Sequence, residues 1–120
     1  MSAKELATKA CSFKFEDPMH TGLITPTFVS SAKVKCGGVN CFTSAVLTCS
    51  NCSNGTTTLG TGIGIMVGDS IKVKTFGLSF CRKDTKVTGV VITGVTGSTP
   101  STYTTNILVD SPGQTKVKVI

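Results

Sequence analysis

Cys49-Ser50-Asn51-Cys52 places two sulfurs three residues apart in a run of small polar residues, a spacing at which two thiolates can reach one tetrahedral zinc ion. Zinc needs two further ligands. The single histidine, His20, and Cys81 are the candidates, with Cys11 in reserve. Each has a plainer reading: a cysteine packs as a small buried hydrophobe, and a histidine after Pro18-Met19 suits a surface turn. Position along the chain weighs for the ligand reading. His20 immediately precedes Thr21-Gly22, Cys49 and Cys52 precede Thr61-Gly62, and Cys81 precedes Thr88-Gly89. His20, Cys49, Cys52 and Cys81 are therefore expected at one spatial level, holding zinc at about one ion per chain.

Other chemistry is thinly represented. One histidine and six scattered acidic residues offer no nucleophile–base pair from which to build a catalytic site, so the chain is not read as an enzyme. Six cysteines in 120 residues could make three disulfides, but such frameworks accompany a secretion signal, and Met1-Ser2-Ala3-Lys4-Glu5-Leu6 has no apolar signal core. Synthesis in a reducing cytoplasm is the expectation. Cys36 and Cys41 flank Gly37-Gly38 and read as buried thiols or a hairpin pair.

The elements that must position these residues are strands. Only 15% of residues are charged, with 13 glycines and many Thr, Ser and Val, a composition that favours strands and tight turns. Strands are predicted over Phe13–Phe15 and over 27–35, 41–49, 62–67, 70–81, 86–93, 103–109 and 115–120. Turn residues separate them at Gly37-Gly38, 51–55, Gly68-Asp69, 97–100 and 111–113. Residues 1–10 read as an N-terminal arm and 11–120 as one domain.

Three stretches resemble one another. Thr21-Gly22-Leu23-Ile24 leads to Ala32-Lys33-Val34-Lys35, Thr61-Gly62-Ile63 to Ile71-Lys72-Val73-Lys74, and Thr88-Gly89-Val90-Val91 to Thr115-Lys116-Val117-Lys118-Val119. A β-unit written three times suggests a pseudo-threefold object or a short stack, because one unit cannot bury its apolar side alone. In Lys-Val-Lys, alternation sends the lysines outward. The net charge of +6 is then a solvated strand face, and with no Trp and one Tyr there is little to stack on bases, so no specific nucleic acid is expected.

His20-Thr21-Gly22-Leu23-Ile24, followed by Ser31-Ala32-Lys33-Val34-Lys35 and the Gly37-Gly38 turn, resembles a PAAR repeat, as does Gly68-Asp69 near a strand. Cys11-Ser12-Phe13 is similar to the start of PAAR-like domains. The resemblance implies a small all-β cone of hairpins, prism-like with internal pseudo-threefold repeats. Such a cone sits as a single copy on a trimeric β-helical spike of a contractile injection machine, type VI secretion system or phage tail. It implies a zinc near the tip, for which His20, Cys49, Cys52 and Cys81 would be a cysteine-rich set, and transient contact with a target cell membrane. The location implied is the virion tail tip or injection-particle spike. The base of the cone would be apolar, from residues such as Ile63, Ile65, Met66 and Val91. Two rivals stay open: a small structural virion protein, decoration or coat, of β-sandwich type, and a secreted disulfide-stapled binding module.

Overall fold

The computed structural model describes residues 3–36, 38–71, 74–75, 78–114 and 117–120, with 30–34, 36, 74 and 75 described in backbone only. The chain is all-β. Its strands are β1 (Lys4–Glu5), β2 (Ser12–Phe15), β3 (Thr21–Cys36), β4 (Val39–Ser53), β5 (Thr58–Val67), β6 (Lys74–Thr75), β7 (Leu78–Ser79), β8 (Lys86–Thr96), β9 (Thr99–Ser111) and β10 (Lys118–Val119). Six of them form one antiparallel sheet in the order β2-β9-β8-β5-β4-β3. The sheet curls until its edge strands face each other, which gives a nearly closed barrel with short axes of 25 and 23 Å.

Inward positions follow the two-residue period of a strand. Ala45, Leu47 and Cys49 of β4, Met66 of β5, Val90 and Ile92 of β8, and Ile107 and Val109 of β9 form the buried core. On β5 the inward row is Gly60, Gly62 and Gly64, opposite Cys52, Cys49 and Leu47 of β4. A side chain there would collide with its surroundings: a Cβ on Gly62 would lie 2.5 Å from the Val91 carbonyl oxygen, and one on Gly64 2.8 Å from Val90 Cγ2. Bare backbone on β5 lets the barrel close tightly on the side chains of β4 and β8.

Where β2 meets β3 the barrel is a seam rather than a ladder. Each of the two strands is hydrogen-bonded on one side only, to β9 and β4 respectively. Rings bridge the gap: Phe28 packs on Phe42 at 4.6 Å between centroids, and Phe13 lies 6.3 Å from Phe28 and 6.4 Å from Phe42. Pro26 fits this edge because it has no N–H to leave unpaired.

A second, smaller cluster closes one end with Leu6, Cys41, Phe80 and Val119. It is built by the termini. β1 pairs with β10, the Leu6 N–H donates to the Val117 carbonyl at 2.9 Å, and the Ala7 N–H to that of Cys81 at 3.0 Å. Residues 4–8 are thus paired and Leu6, Ala7 and Thr8 are buried, where the sequence suggested an arm. The C-terminal segment is a part of the fold, as expected, but the alternation that would turn both valines inward holds only for Val119, which is buried, while Val117 is exposed.

The three sequence repeats do not surround a threefold axis. Thr21-Gly22 opens β3, Thr61-Gly62 lies in β5 and Thr88-Gly89 in β8, and β5 and β8 are antiparallel neighbours. Strands of opposite sense cannot be exchanged by rotation about a barrel axis, so the cone with pseudo-threefold repeats is replaced by a single alternating sheet. Ala32–Lys35 continues the strand that Thr21 began. The outward orientation expected of Lys33, Lys72, Lys74 and Lys116 lies outside the described residues. The turn residues expected at 97–100 join β8 to β9 in a hairpin turned by Gly97-Ser98 with Gly97 at φ 64°, a left-handed conformation suited to a two-residue loop. Of the strand predicted over 70–81, the described residues form only the short β6–β7 pair.

Candidate functional site

β4 carries Cys49 and Cys52 on its inner face, which a regular strand would not allow. Residues i and i+3 point to opposite sides. Between them the register against β5 slips, Cys49 pairing with Gly62 and Cys52 with Gly60, and Asn51 adopts φ 50°. This bulge spends one extra residue on β4. Both sulfurs consequently turn inward and both side chains are buried. Cys49 hydrogen-bonds to Cys52, whose thiol donates to the Ser50 carbonyl at 3.5 Å.

The surroundings of the pair are apolar or glycine. Gly22 of β3, at φ 150°, faces the sulfur so closely that a Cβ would lie 2.5 Å from Cys52 Sγ. Burial pushes the Cys49 thiol up to about 11, helped by the neighbouring Cys52 charge and hydrogen bond. Burial also raises Cys52, an effect that the hydrogen bond from Cys49 opposes. Both groups are therefore neutral thiols at neutral pH, and poor nucleophiles while the barrel is closed.

His20 arrives at the same end through the β2–β3 connection. Asp17 shapes that loop, its carboxylate accepting from the Met19 N–H at 2.9 Å and its carbonyl from the His20 N–H at 3.0 Å. The imidazole turns inward: Nδ1 lies 2.8 Å from Thr105 Oγ1, Nε2 lies 3.6 Å from Asp17 Oδ2, and the ring packs on Tyr103 at 5.0 Å. Tyr103 joins histidine to thiols. Burial raises its pKa, and the charges of Cys52 and Cys49 add to the rise. Its hydroxyl is buried without a hydrogen-bond partner among the described residues. Removing an unsatisfied buried hydroxyl relieves a desolvation cost. Tyr103→Phe is accordingly expected to match or exceed the parent's stability by up to about 1 kcal/mol in urea denaturation, and a loss of that size would show that the hydroxyl has a partner.

Cys81 lies elsewhere. Its backbone N–H donates to the Phe42 carbonyl at 3.1 Å and its thiol to the Thr43 carbonyl at 3.7 Å. Thr43 and Cys49 are six residues apart on β4, about 20 Å in an extended strand. Burial pushes the Cys81 thiol well above its usual value, with the charges of Asp69 and Cys11 adding to it; Cys11 is itself pushed up to about 12 by burial. The four expected zinc ligands thus fall at two levels, His20, Cys49 and Cys52 at one and Cys81 at the other. Among the described residues no three of His, Cys, Asp or Glu converge where an ion could be held. Cys36, whose side chain lies outside the described residues, is not placed; Cys41 is buried in the terminal cluster.

Gly68-Asp69 has a structural role that its sequence does not announce. Arg82, the only arginine in the chain, is buried and donates through Nε to Asp69 Oδ1 at 3.0 Å and through Nη1 to the Val119 carbonyl at 3.3 Å. Thr85 Oγ1 donates to the same carboxylate oxygen at 2.7 Å. An arginine that follows a buried cysteine in a chain otherwise served by lysine was the available signal.

The outer wall is a further feature. No charged residue occurs from Cys36 to Gly68 or from Val87 to Val109, so β4, β5 and β8 beyond Lys86 present neutral surface. On that wall stand Ile63, Ile65 and Val67 of β5 and Val91 of β8, all exposed, while Met66, expected beside them, points inward and is buried. Alternation along β5 separates Met66 from its neighbours. Thr48, Thr61 and Thr93 border a shallow hollow around Ile63 and Val91.

Compared with known proteins, the chain matches no family model, no curated protein and no solved structure.

Proposed function

We propose that this chain is a structural subunit that acts by burying the uncharged wall of its barrel against protein neighbours, copies of itself first, within a larger assembly. One observation carries the reading: Ile63, Ile65, Val67 and Val91 are 66, 61, 65 and 54% exposed on a wall without a single charge. Four large aliphatic side chains side by side on a neutral β-surface form a patch of the kind that protein interfaces cover. The net charge of +6 would repel like copies, but every charged residue lies outside the wall strands' neutral stretches. Copies can therefore approach wall to wall with little electrostatic cost.

This is the structural virion-protein reading in its general form. A spike-tip role rests on the same apolar patch used as a flat base toward a trimeric β-helical spike, but the threefold symmetry that would have matched such a partner is not part of this fold.

Light scattering coupled to size exclusion tests the proposal. The full chain is expected to show a mass that rises with concentration, and Ile65→Lys, which places a charge on the wall without touching the core, is expected to return it to a monomer of 12.4 kDa. A parent that stays monomeric at millimolar concentration, or a variant that associates as well as the parent, would refute it.

A further inference from the structure

Cys49 and Cys52 stand together, buried, on the inner face of β4, and the fold brings them there by a specific device. Three residue steps on β4 run beside two on β5, since Cys49 faces Gly62 and Cys52 faces Gly60. Two strand steps span about 6.8 Å. That is the upper end of the Cα separation, roughly 4.4–6.8 Å, that a disulfide bridges, and a bulge shortens it. Without the bulge the same residues would be about 10 Å apart on opposite faces. Space is cleared as well. Gly60, Gly62 and Gly22 surround the pair, and a Cβ at Gly22 or at Gly60 would press on Cys52 itself.

We propose that Cys49 and Cys52 form an intrastrand disulfide when the chain meets a low-molecular-weight disulfide oxidant. The balance is that of thiol–disulfide exchange. One cysteine, as thiolate, attacks a sulfur of the oxidant RSSR; the new S–S bond forms as the RSSR bond breaks, and RS⁻ leaves and takes up the cysteine's proton. The second cysteine then attacks its partner's sulfur, and the second RS⁻ leaves with the second proton. The chain gives up two electrons and two protons, and two RSH are released. The product staples the bulge and so fixes the register of β4 on β5. The raised pKa values of both thiols agree with slow reaction in the closed barrel, where attack waits on local opening. The inference does not depend on the assembly role.

The test uses the full chain and oxidised glutathione, with the remaining thiols alkylated and the product read by intact mass and fragment mapping. Expected is a folded species about 2 Da lighter before alkylation, with two fewer reactive thiols and an internal Cys49–Cys52 link. The link is expected to survive Cys11→Ser and Cys81→Ser and to vanish in Cys52→Ser. Should Cys52→Ser fail to fold, the fragment map of the parent decides alone. Linkage between other cysteines, a lasting glutathione adduct, a full complement of alkylated thiols, or a metal ion that holds the pair reduced would each overturn the proposal.

Discussion

Gly62→Ala is expected to cost about 3 kcal/mol of stability, in the upper range for overpacking a core, although alanine and larger residues suit strands better than glycine does. The added methyl would lie 2.5 Å from the Val91 carbonyl oxygen and 2.8 Å from Ile92 Cδ1. The second neighbour is the tip of a side chain and can rotate away. The first is backbone of β8, and moving it would separate β5 from β8. Gly64→Ala provides the contrast, because the neighbours within reach there are side-chain atoms of Val90 and Val87, the nearest at 2.8 Å. It is expected to lose about 1–2 kcal/mol, and Val90→Ala in the same chain should recover part of that loss, whereas no side-chain truncation should rescue Gly62→Ala. Urea denaturation of the two singles and the double measures all three. Equal cost at both glycines, or rescue at Gly62 by truncating Ile92, would show that clearance on the inner face of β5 is not what these residues provide.

The same row of glycines marks where sequence reading stops. Thr61-Gly62 was legible as a recurring β-signal, and the strand around it was correctly expected from Gly62 to Val67. What the glycine does depends on Cys49 across one ladder and Val91 across the other, partners that are far away along the chain. The strands themselves were legible because alternation and turn residues are local: Phe13 and Phe15 sit inward on β2, and Gly38 turns β3 into β4. Boundaries failed where a turn residue serves another purpose. Asn51 was taken to end β4 but instead kinks it, at φ 50°, and the strand runs on to Ser53. Pro100 was taken as a loop residue but lies in β9, on a stretch that β2 does not reach, where a missing N–H costs nothing. Of the candidate site, His20 lies on Tyr103 at the Cys49–Cys52 end, where Gly22 packs on Cys52, a placement made by the β2–β3 connection and not by the repeat register. Cys81 was misplaced because the register argument assumed a symmetry axis. Once the strands alternate in sense, equal sequence position no longer means equal height in the barrel.

Arg82→Ala is expected to destabilise the chain by about 2 kcal/mol, in the range for losing hydrogen bonds made by a buried charged donor whose carboxylate partner, Asp69, stays half-exposed, or roughly 7 °C in melting temperature for a domain of this size. Arg82 is 6% exposed, so water reaches its guanidinium little, although it does reach the half-exposed Asp69 carboxylate. One edge holds Asp69, and the other holds the Val119 carbonyl of β10. The side chain thus clamps the C-terminal strand to the turn after β5, and its loss would loosen the cluster of Leu6, Cys41, Phe80 and Val119. Arg82→Lys should restore less than half of the loss, because one ammonium cannot supply two donors in the fixed geometry of the fork. The same clamp sets an acid limit. Burial raises the Asp69 carboxyl, but the hydrogen bonds from Arg82 and Thr85 and the charge of Arg82 outweigh it and leave the pKa lowered. The folded chain therefore binds this proton less readily than the unfolded chain does. Its contribution is complete above the unfolded carboxylate value of about 3.9 and fades as pH falls through the lower folded value. In urea titrations from pH 7 to pH 2 the parent should lose stability below about pH 4, and Asp69→Asn should flatten that part of the curve while starting from a lower plateau. A parent and an Asp69→Asn variant that fall in parallel would place the acid sensitivity in other carboxylates and reduce Arg82 to a packing residue.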